Sequence, residues 1–129
     1  MTMRKDNLIL LAEIIPESAA SLDVMLRRLG YRTRLADTSE MALCVMRREI
    51  VHSAVVAVEL TDRGEPMLAR LAALPSMRRL LAVGPADGNF WELCARRAGA
   101  GVYLPRPVTM ERLAQALGVS ASAEVAWKP

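Results

Sequence analysis

The stretch AGAGVYLPRPV, residues 98–108, packs a helix stop, a strand and a stiff exit into one short segment. Gly99 supplies the residue type that ends a helix in a left-handed turn. AGVYL is a brief apolar run with β-branched and aromatic side chains, the pattern of a strand. Pro105 and Pro107 then stiffen the connection. Thr109 stands where a side-chain oxygen can cap a further helix through Leu117. A helix, a strand and a second helix follow one another with very short joints.

The same alternation runs back along the chain. NLILLAE (7–13) is continuously apolar, as expected for a strand covered on both faces. Pro16 and Glu17 open a helix with Leu22, Met25, Leu26 and Leu29 at helical spacing, and Gly30 stops it. YRTRLA (31–36) is a short alternating strand. Thr38 and Ser39 offer caps for a second helix to about Ile50, with Leu43, Met46 and Ile50 on one face. SAVVAVEL (53–60) is a third strand, TDRGEP (61–66) a loop, and a short helix covers Met67 to Leu74. RRLLAVG (78–84) is a fourth strand, followed by a helix from about Asn89 to Ala98. Five strands, each followed by a helix, predict a parallel sheet wrapped on both faces, since parallel strands require crossovers that helices supply. Residues 1–117 form the domain, and 118–129 have the composition of a tail or linker.

A chain of 129 residues suffices for one domain with a substantial core. Hydrophobic residues reach 53%, but they come in blocks far short of the roughly 20 residues that span a bilayer. MTMRKDN (1–7) lacks a signal-peptide cleavage pattern. Cys44 and Cys94 show no metal or CxxC spacing and read as reduced core thiols of a cytoplasmic protein. Arginine comes in pairs at 27–28, 47–48, 78–79 and 96–97. Three pairs fall in the last turn of a predicted helix, where cations complement the dipole. The other reading, a surface for nucleic acid, lacks interleaved aromatics and a recognition helix. Neither nucleic-acid nor membrane binding is expected of this domain.

In open parallel sheets, sites gather at the carboxyl ends of the strands. Here those ends carry Glu13 and Ile14, Val58 and Glu59, Gly84 and Pro85, and Pro105 to Pro107.

AGAGVYLPRPV closely resembles the fifth-strand signature AGAxxYLxKP of response-regulator receiver domains, and ILLAEIIP (9–16) resembles that family's first strand with its acidic pair. The likeness spans about residues 7–117. It implies a flavodoxin-like doubly wound (βα)5 sheet and a role in two-component signalling. It also implies phosphoryl transfer to an aspartate ending the third strand. That chemistry takes a carboxylate nucleophile, a Mg²⁺ ion on further carboxylates, and a hydroxyl and a lysine for the phosphoryl group. Laid onto this sequence, the acidic pair falls on Glu13 and Ile14 and the acceptor on Val58. The hydroxyl position falls on Gly84, and the lysine on Arg106, which keeps the charge but not the shape. Valine accepts no phosphoryl group, and isoleucine binds no hard cation. The chain reads as a pseudo-receiver with a vestigial pocket of Glu13, Ile14, Val58, Glu59, Gly84 and Arg106, with no catalytic or metal-binding residue and no cofactor.

Glu59 leaves several readings open. A one-residue shift along a strand points a side chain to the opposite face, so Glu59 should leave the pocket that Val58 enters. It is then solvated, or paired with Arg106 or Arg63. Alternatively it imitates phosphoaspartate by a permanent charge, or it is a relocated acceptor. Tyr103 matches the family's switch aromatic, or is a half-buried ring with a wet hydroxyl. Phe90 and Trp91 cannot both face the core from adjacent helical positions, and Trp91 is expected to be the exposed anchor. Pro107 is expected to follow a cis bond. His52 lacks a partner to activate and reads as structural.

The expected role is phosphorylation-independent signal transduction by protein recognition, without enzymatic activity. Partners would be a sensor kinase, an output domain or a second copy, docked on the face of the fourth helix, fifth strand and fifth helix. The alternatives are a phosphorelay receiver phosphorylated or constitutively activated at Glu59, and a small-molecule binder at the strand ends.

Overall fold

The computed structural model describes residues 7–119. Five strands form one parallel sheet: β1 (Leu8–Ala12), β2 (Arg32–Ala36), β3 (Ser53–Ala57), β4 (Arg79–Gly84) and β5 (Val102–Pro105), in the order β2-β1-β3-β4-β5. The helices are α1 (Pro16–Arg28), α2 (Ser39–Arg48), α3 (Met67–Ala72), α4 (Phe90–Ala98) and α5 (Met110–Leu117). This is the flavodoxin-like doubly wound sheet, whose order reverses beside β1 and β3.

The period of two along each strand divides the core into two layers. Ile9, Leu11, Val55, Leu81, Val83 and Leu104 pack with Leu22 and Leu26 of α1 and Leu113 and Leu117 of α5. Leu10, Ala54, Val56 and Ala82 pack on the other face with Ala42 of α2, Met67, Leu68 and Leu71 of α3, and Ala95 of α4. Each fully buried leucine contributes about 1.5–3 kcal/mol of transfer free energy. Both faces of the inner strands are covered, which is why their sequences read as unbroken apolar runs.

The helix ends follow local chemistry. Pro16 begins α1, and Thr38 and Thr109 cap α2 and α5 by accepting from the amides of Met41 and Arg112. Gly99 ends α4 at φ 113°, and a Cβ there would lie 2.6 Å from that of Ala72, so it also lets α3 approach α4. Arginine pairs occupy the last turns of α1, α2 and α4, as the dipole reading requires. In the fourth pair, Arg79 donates to the Leu117 carbonyl at 2.6 Å and ties β4 to the end of α5.

Several expectations need correction. The third strand ends at Ala57 rather than Leu60, and Val58 and Glu59 form a turn. TDRGEP is not a plain loop: Thr61–Asp62 pairs antiparallel with Glu65–Pro66 around Arg63 (φ 54°) and Gly64 (φ 83°). Ile50 lies past the end of α2 and is exposed. Cys44 is exposed rather than a core thiol, because it sits on the outer face of α2, whereas Cys94 is half-buried against the core. Of the expected tail, residues 120–129 lie outside the described residues, as does most of MTMRKDN. No helix among the described residues is long and apolar enough to cross a membrane.

Candidate functional site

Glu13 emerges one residue beyond β1, held by its amide on the Ala36 carbonyl at 3.1 Å. Its carboxylate is buried and surrounded by donors. Oε1 accepts from the Ile14 amide at 2.8 Å, the Ile15 amide at 3.3 Å and Arg106 Nη2 at 2.8 Å. Oε2 accepts from Ser18 Oγ at 2.6 Å and Arg106 Nε at 3.0 Å. Ser18 escaped the sequence reading. Its position in the first turn of α1, five residues after the acid, is the signal that could have found it.

Arg106 follows β5, and its amide donates to the Gly84 carbonyl at 2.8 Å. That bond aims the side chain across the carboxyl ends of β4, β3 and β1. Besides the two bonds to Glu13, the guanidinium makes two to Glu59, from Nη1 to Oε2 at 2.7 Å and from Nη2 to Oε1 at 2.8 Å. The planar fork of arginine meets two carboxylates, each through a pair of bonds, which an ammonium group cannot reproduce.

Glu59 therefore does not leave the pocket. The alternation of a strand applies only while the strand continues, and β3 has ended at Ala57. The turn at Val58 and Glu59 leaves Val58 buried in the core while Glu59 swings to Arg106. Of the two cations considered for Glu59, Arg106 is the one that pairs with it. Burial raises the Glu59 carboxyl, but the bonds from Arg106, a backbone amide and the arginine charge outweigh this and leave it below its ordinary value. Burial opposes the charge of Arg106, and the two glutamates more than restore it, so the guanidinium stays protonated.

Val58, Gly84 and Tyr103 form the adjoining wall. The Val58 amide donates to the Val83 carbonyl at 2.8 Å. A Cβ on Gly84 would stand 2.6 Å from Val58 Cγ1 and still closer to the Tyr103 hydroxyl. The position that resemblance assigns to a hydroxyl-bearing residue is thus filled by the tyrosine ring. Tyr103 is turned inward, packs beside the core and donates from Oη to the Pro85 carbonyl at 2.6 Å. Its hydroxyl is not wet-only, as the simpler expectation had it. Burial first, then the charge of Glu59, raises its pKa above the ordinary 10.0 despite Arg106.

Other expected residues lie elsewhere. Ile14 is 40% exposed and lines a groove with Leu35 and Met41 between α1 and α2. Phe90 is 64% exposed, while Trp91 is partly buried and packs on the core. This reverses the expected roles of the two: α4 starts so that position 91 faces the sheet, and Phe90 meets the indole edge-on with centroids 5.2 Å apart. The Arg106–Pro107 bond is cis, as expected. His52 bonds the Ser76 carbonyl through Nδ1 at 2.9 Å, a structural contact.

A divalent cation does not suit this pocket. Hard cations need several free oxygen ligands, and the oxygens of Glu13 already take five hydrogen bonds. The neighbouring acid position is Ile14, and no group of three His, Cys, Asp or Glu side chains fit for a metal occurs among the described residues.

Solved structures of receiver domains superpose on this chain over nearly its whole length. A signal receiver domain of an HD domain-containing protein from Pseudomonas fluorescens matches with a TM-score of 0.75 and 21% identity over 94% of this chain and 98% of its own. The fold is that of a receiver domain. The receiver domain of a sensor histidine kinase from Pseudomonas aeruginosa, with magnesium in its active-site cleft, matches with a TM-score of 0.74 and 23% identity over 87% and 94%. A Burkholderia pseudomallei response regulator carrying a phosphorylated aspartic acid and calcium matches with a TM-score of 0.71 and 26% identity over 94% and 72%. No protein-family model and no curated protein sequence matches the receiver-like chain.

Proposed function

We propose that this chain is a pseudo-receiver that transduces signals by protein recognition, with neither phosphoryl transfer nor other enzymatic activity. One observation carries the reading: the carboxyl ends of β1, β3 and β5 are joined by the Glu13–Arg106–Glu59 ion triad, beside a valine that cannot accept a phosphoryl group. The related folds include one with a phosphorylated aspartic acid and one with magnesium in its cleft. In this chain the ends of β1, β3 and β5 are bridged by its own arginine. Its setting is a two-component or allied pathway, in the cytoplasm, with a sensor kinase, an output domain or a second copy as partner. The docking face is α4, β5 and α5, where Phe90 and Leu93 are 64% and 55% exposed.

A second reading draws on the orientation of Glu59. Its carboxylate holds a fixed negative charge against Arg106, which supports a constitutively set domain over a switched one. Amide NMR spectra with Mg²⁺ and beryllofluoride, a phosphoryl mimic, test the proposal. Unchanged spectra are expected; shifts centred on Glu59 and Arg106 would show an acceptor site and overturn it.

A further inference from the structure

The exposed stripe of α2 reverses its charge about its own middle. Glu40, Cys44 and Arg48 recur every four residues and so share one face, flanked by Met41 and Arg47. All five are exposed, Met41 to 48%, while Ala42, Leu43, Val45 and Met46 pack the opposite side onto the core. α1 and α4 each tie a last-turn arginine to an acid one turn earlier, Asp23 to Arg27 and Glu92 to Arg96. α2 has Leu43 and Cys44 where a base could reach Glu40, and Arg48 stands about 12 Å further along the axis. Among the described residues Glu40, Arg47 and Arg48 make no ion pair.

We propose that α2 is a self-association face, on which a second copy of this chain docks antiparallel about a two-fold axis beside Cys44. Such an axis sets each position against the one equally far beyond Cys44 in the other copy. Glu40 then meets Arg48 of the second copy, and the reverse, so one symmetric contact makes two ion pairs. Met41 meets the methylene stem of Arg47 of the second copy. Ile50, 74% exposed just past α2, is carried toward the groove of Ile14, Leu35 and Met41 in the other copy. That groove, of about 510 Å³, is lined by acids, Asp23 and Asp37 among them, and by no base, which suits the arginine end of α2. A parallel copy would instead set like charge against like. The contact is one helix wide, hence weak and concentration-dependent. Of the partners proposed above, the second copy takes this face, and α4, β5 and α5 remain for a kinase or output domain.

Cross-linking and light scattering of the full chain test this. A short bismaleimide should join two native chains through Cys44; Cys44→Ser should abolish the product and Cys94→Ser should keep it. Glu40→Arg and Arg48→Glu should each weaken dimerisation at least about tenfold, because like charges then oppose. An equimolar mixture of these two variants should restore it, since each altered residue faces its complement in the other chain. Circular dichroism checks that both are folded before mixing. A native chain still monomeric at about 1 mM, or a mixture of folded variants no more associated than its components, would overturn the proposal. Loss of the cross-link in Phe90→Ala would also overturn it, by placing the contact on α4. Such a failure leaves phosphorylation independence standing on Val58, whereas phosphorylation of the native chain would leave the dimer test unaffected.

Discussion

Arg106 and Glu59 face each other through two parallel N–H···O bonds of 2.7 and 2.8 Å, although 47 positions separate them in the chain. The same guanidinium grips Glu13, whose side chain is 1% exposed against 24% for Glu59. Removing Arg106 strands a buried carboxylate, so Arg106→Ala should lower the unfolding free energy by about 3–5 kcal/mol. Glu59→Gln should cost no more than about 1 kcal/mol, because Glu59 reaches solvent. Urea unfolding at neutral pH measures both, and equal losses would contradict this division of roles.

Acid should weaken the same contact. The Glu59 carboxyl lies below its ordinary 4.5 in the folded chain. Its contribution is therefore present above pH 4.5 and is lost as pH falls through the lower folded value. The stability difference between the native protein and Glu59→Gln should shrink below pH 4.5 and stay constant above it. Urea midpoints from pH 7 to roughly pH 3 follow this directly.

Tyr103 titrates in the opposite sense. Burial and the Glu59 charge raise it above 10.0, which favours the neutral phenol in the folded state. Whatever stability it contributes is present below pH 10.0 and fades as pH rises through the folded value. The ultraviolet titration of native protein minus Tyr103→Phe should show ionisation above pH 10.0.

Gly84 is a packing residue for Tyr103. A methyl group there would press on Val58 Cγ1 and on the Tyr103 hydroxyl. Gly84→Ala should cost about 1–3 kcal/mol by overpacking and break the bond from Tyr103 to the Pro85 carbonyl. In Tyr103→Ala the added penalty of Gly84→Ala should be smaller. A thermodynamic cycle measures it; strict additivity would show that the two residues do not share the space.

The two aromatics of α4 should separate by experiment. Trp91 packs on the core, so Trp91→Ala should lower stability, whereas Phe90→Ala and Leu93→Ala should change it by no more than about 0.5 kcal/mol. Partner binding should follow the exposed pair instead. Thermal unfolding and light scattering measure the two effects.

The sheet was legible because its inner strands are covered on both faces, so LILLA, SAVVA and RLLAVG stand out as apolar runs between capped helices. The positions of Glu13, Val58, Gly84 and Arg106 followed from laying the resemblance carried by ILLAEIIP and AGAGVYLPRPV onto the strand ends. The pairing of Glu59 with Arg106 was among the expected readings, but its direction was misjudged for a definable reason. Period-two alternation was extended past Ala57, where the chain had already turned. Ser18 was invisible because a serine in the first turn of a helix usually serves the helix itself. Phe90 and Trp91 could not be ordered, since adjacent positions differ only by the rotation at which α4 begins.

Phosphoryl-group uptake tests the central claim most directly. The chain and a receiver domain that carries an acceptor aspartate are incubated with acetyl phosphate and Mg²⁺, and their intact masses are compared. With Val58 at the acceptor position and Glu59 tied to Arg106, the mass of this chain should not change while the control gains a phosphoryl group. A phosphoryl adduct mapped to Glu59 would contradict the account.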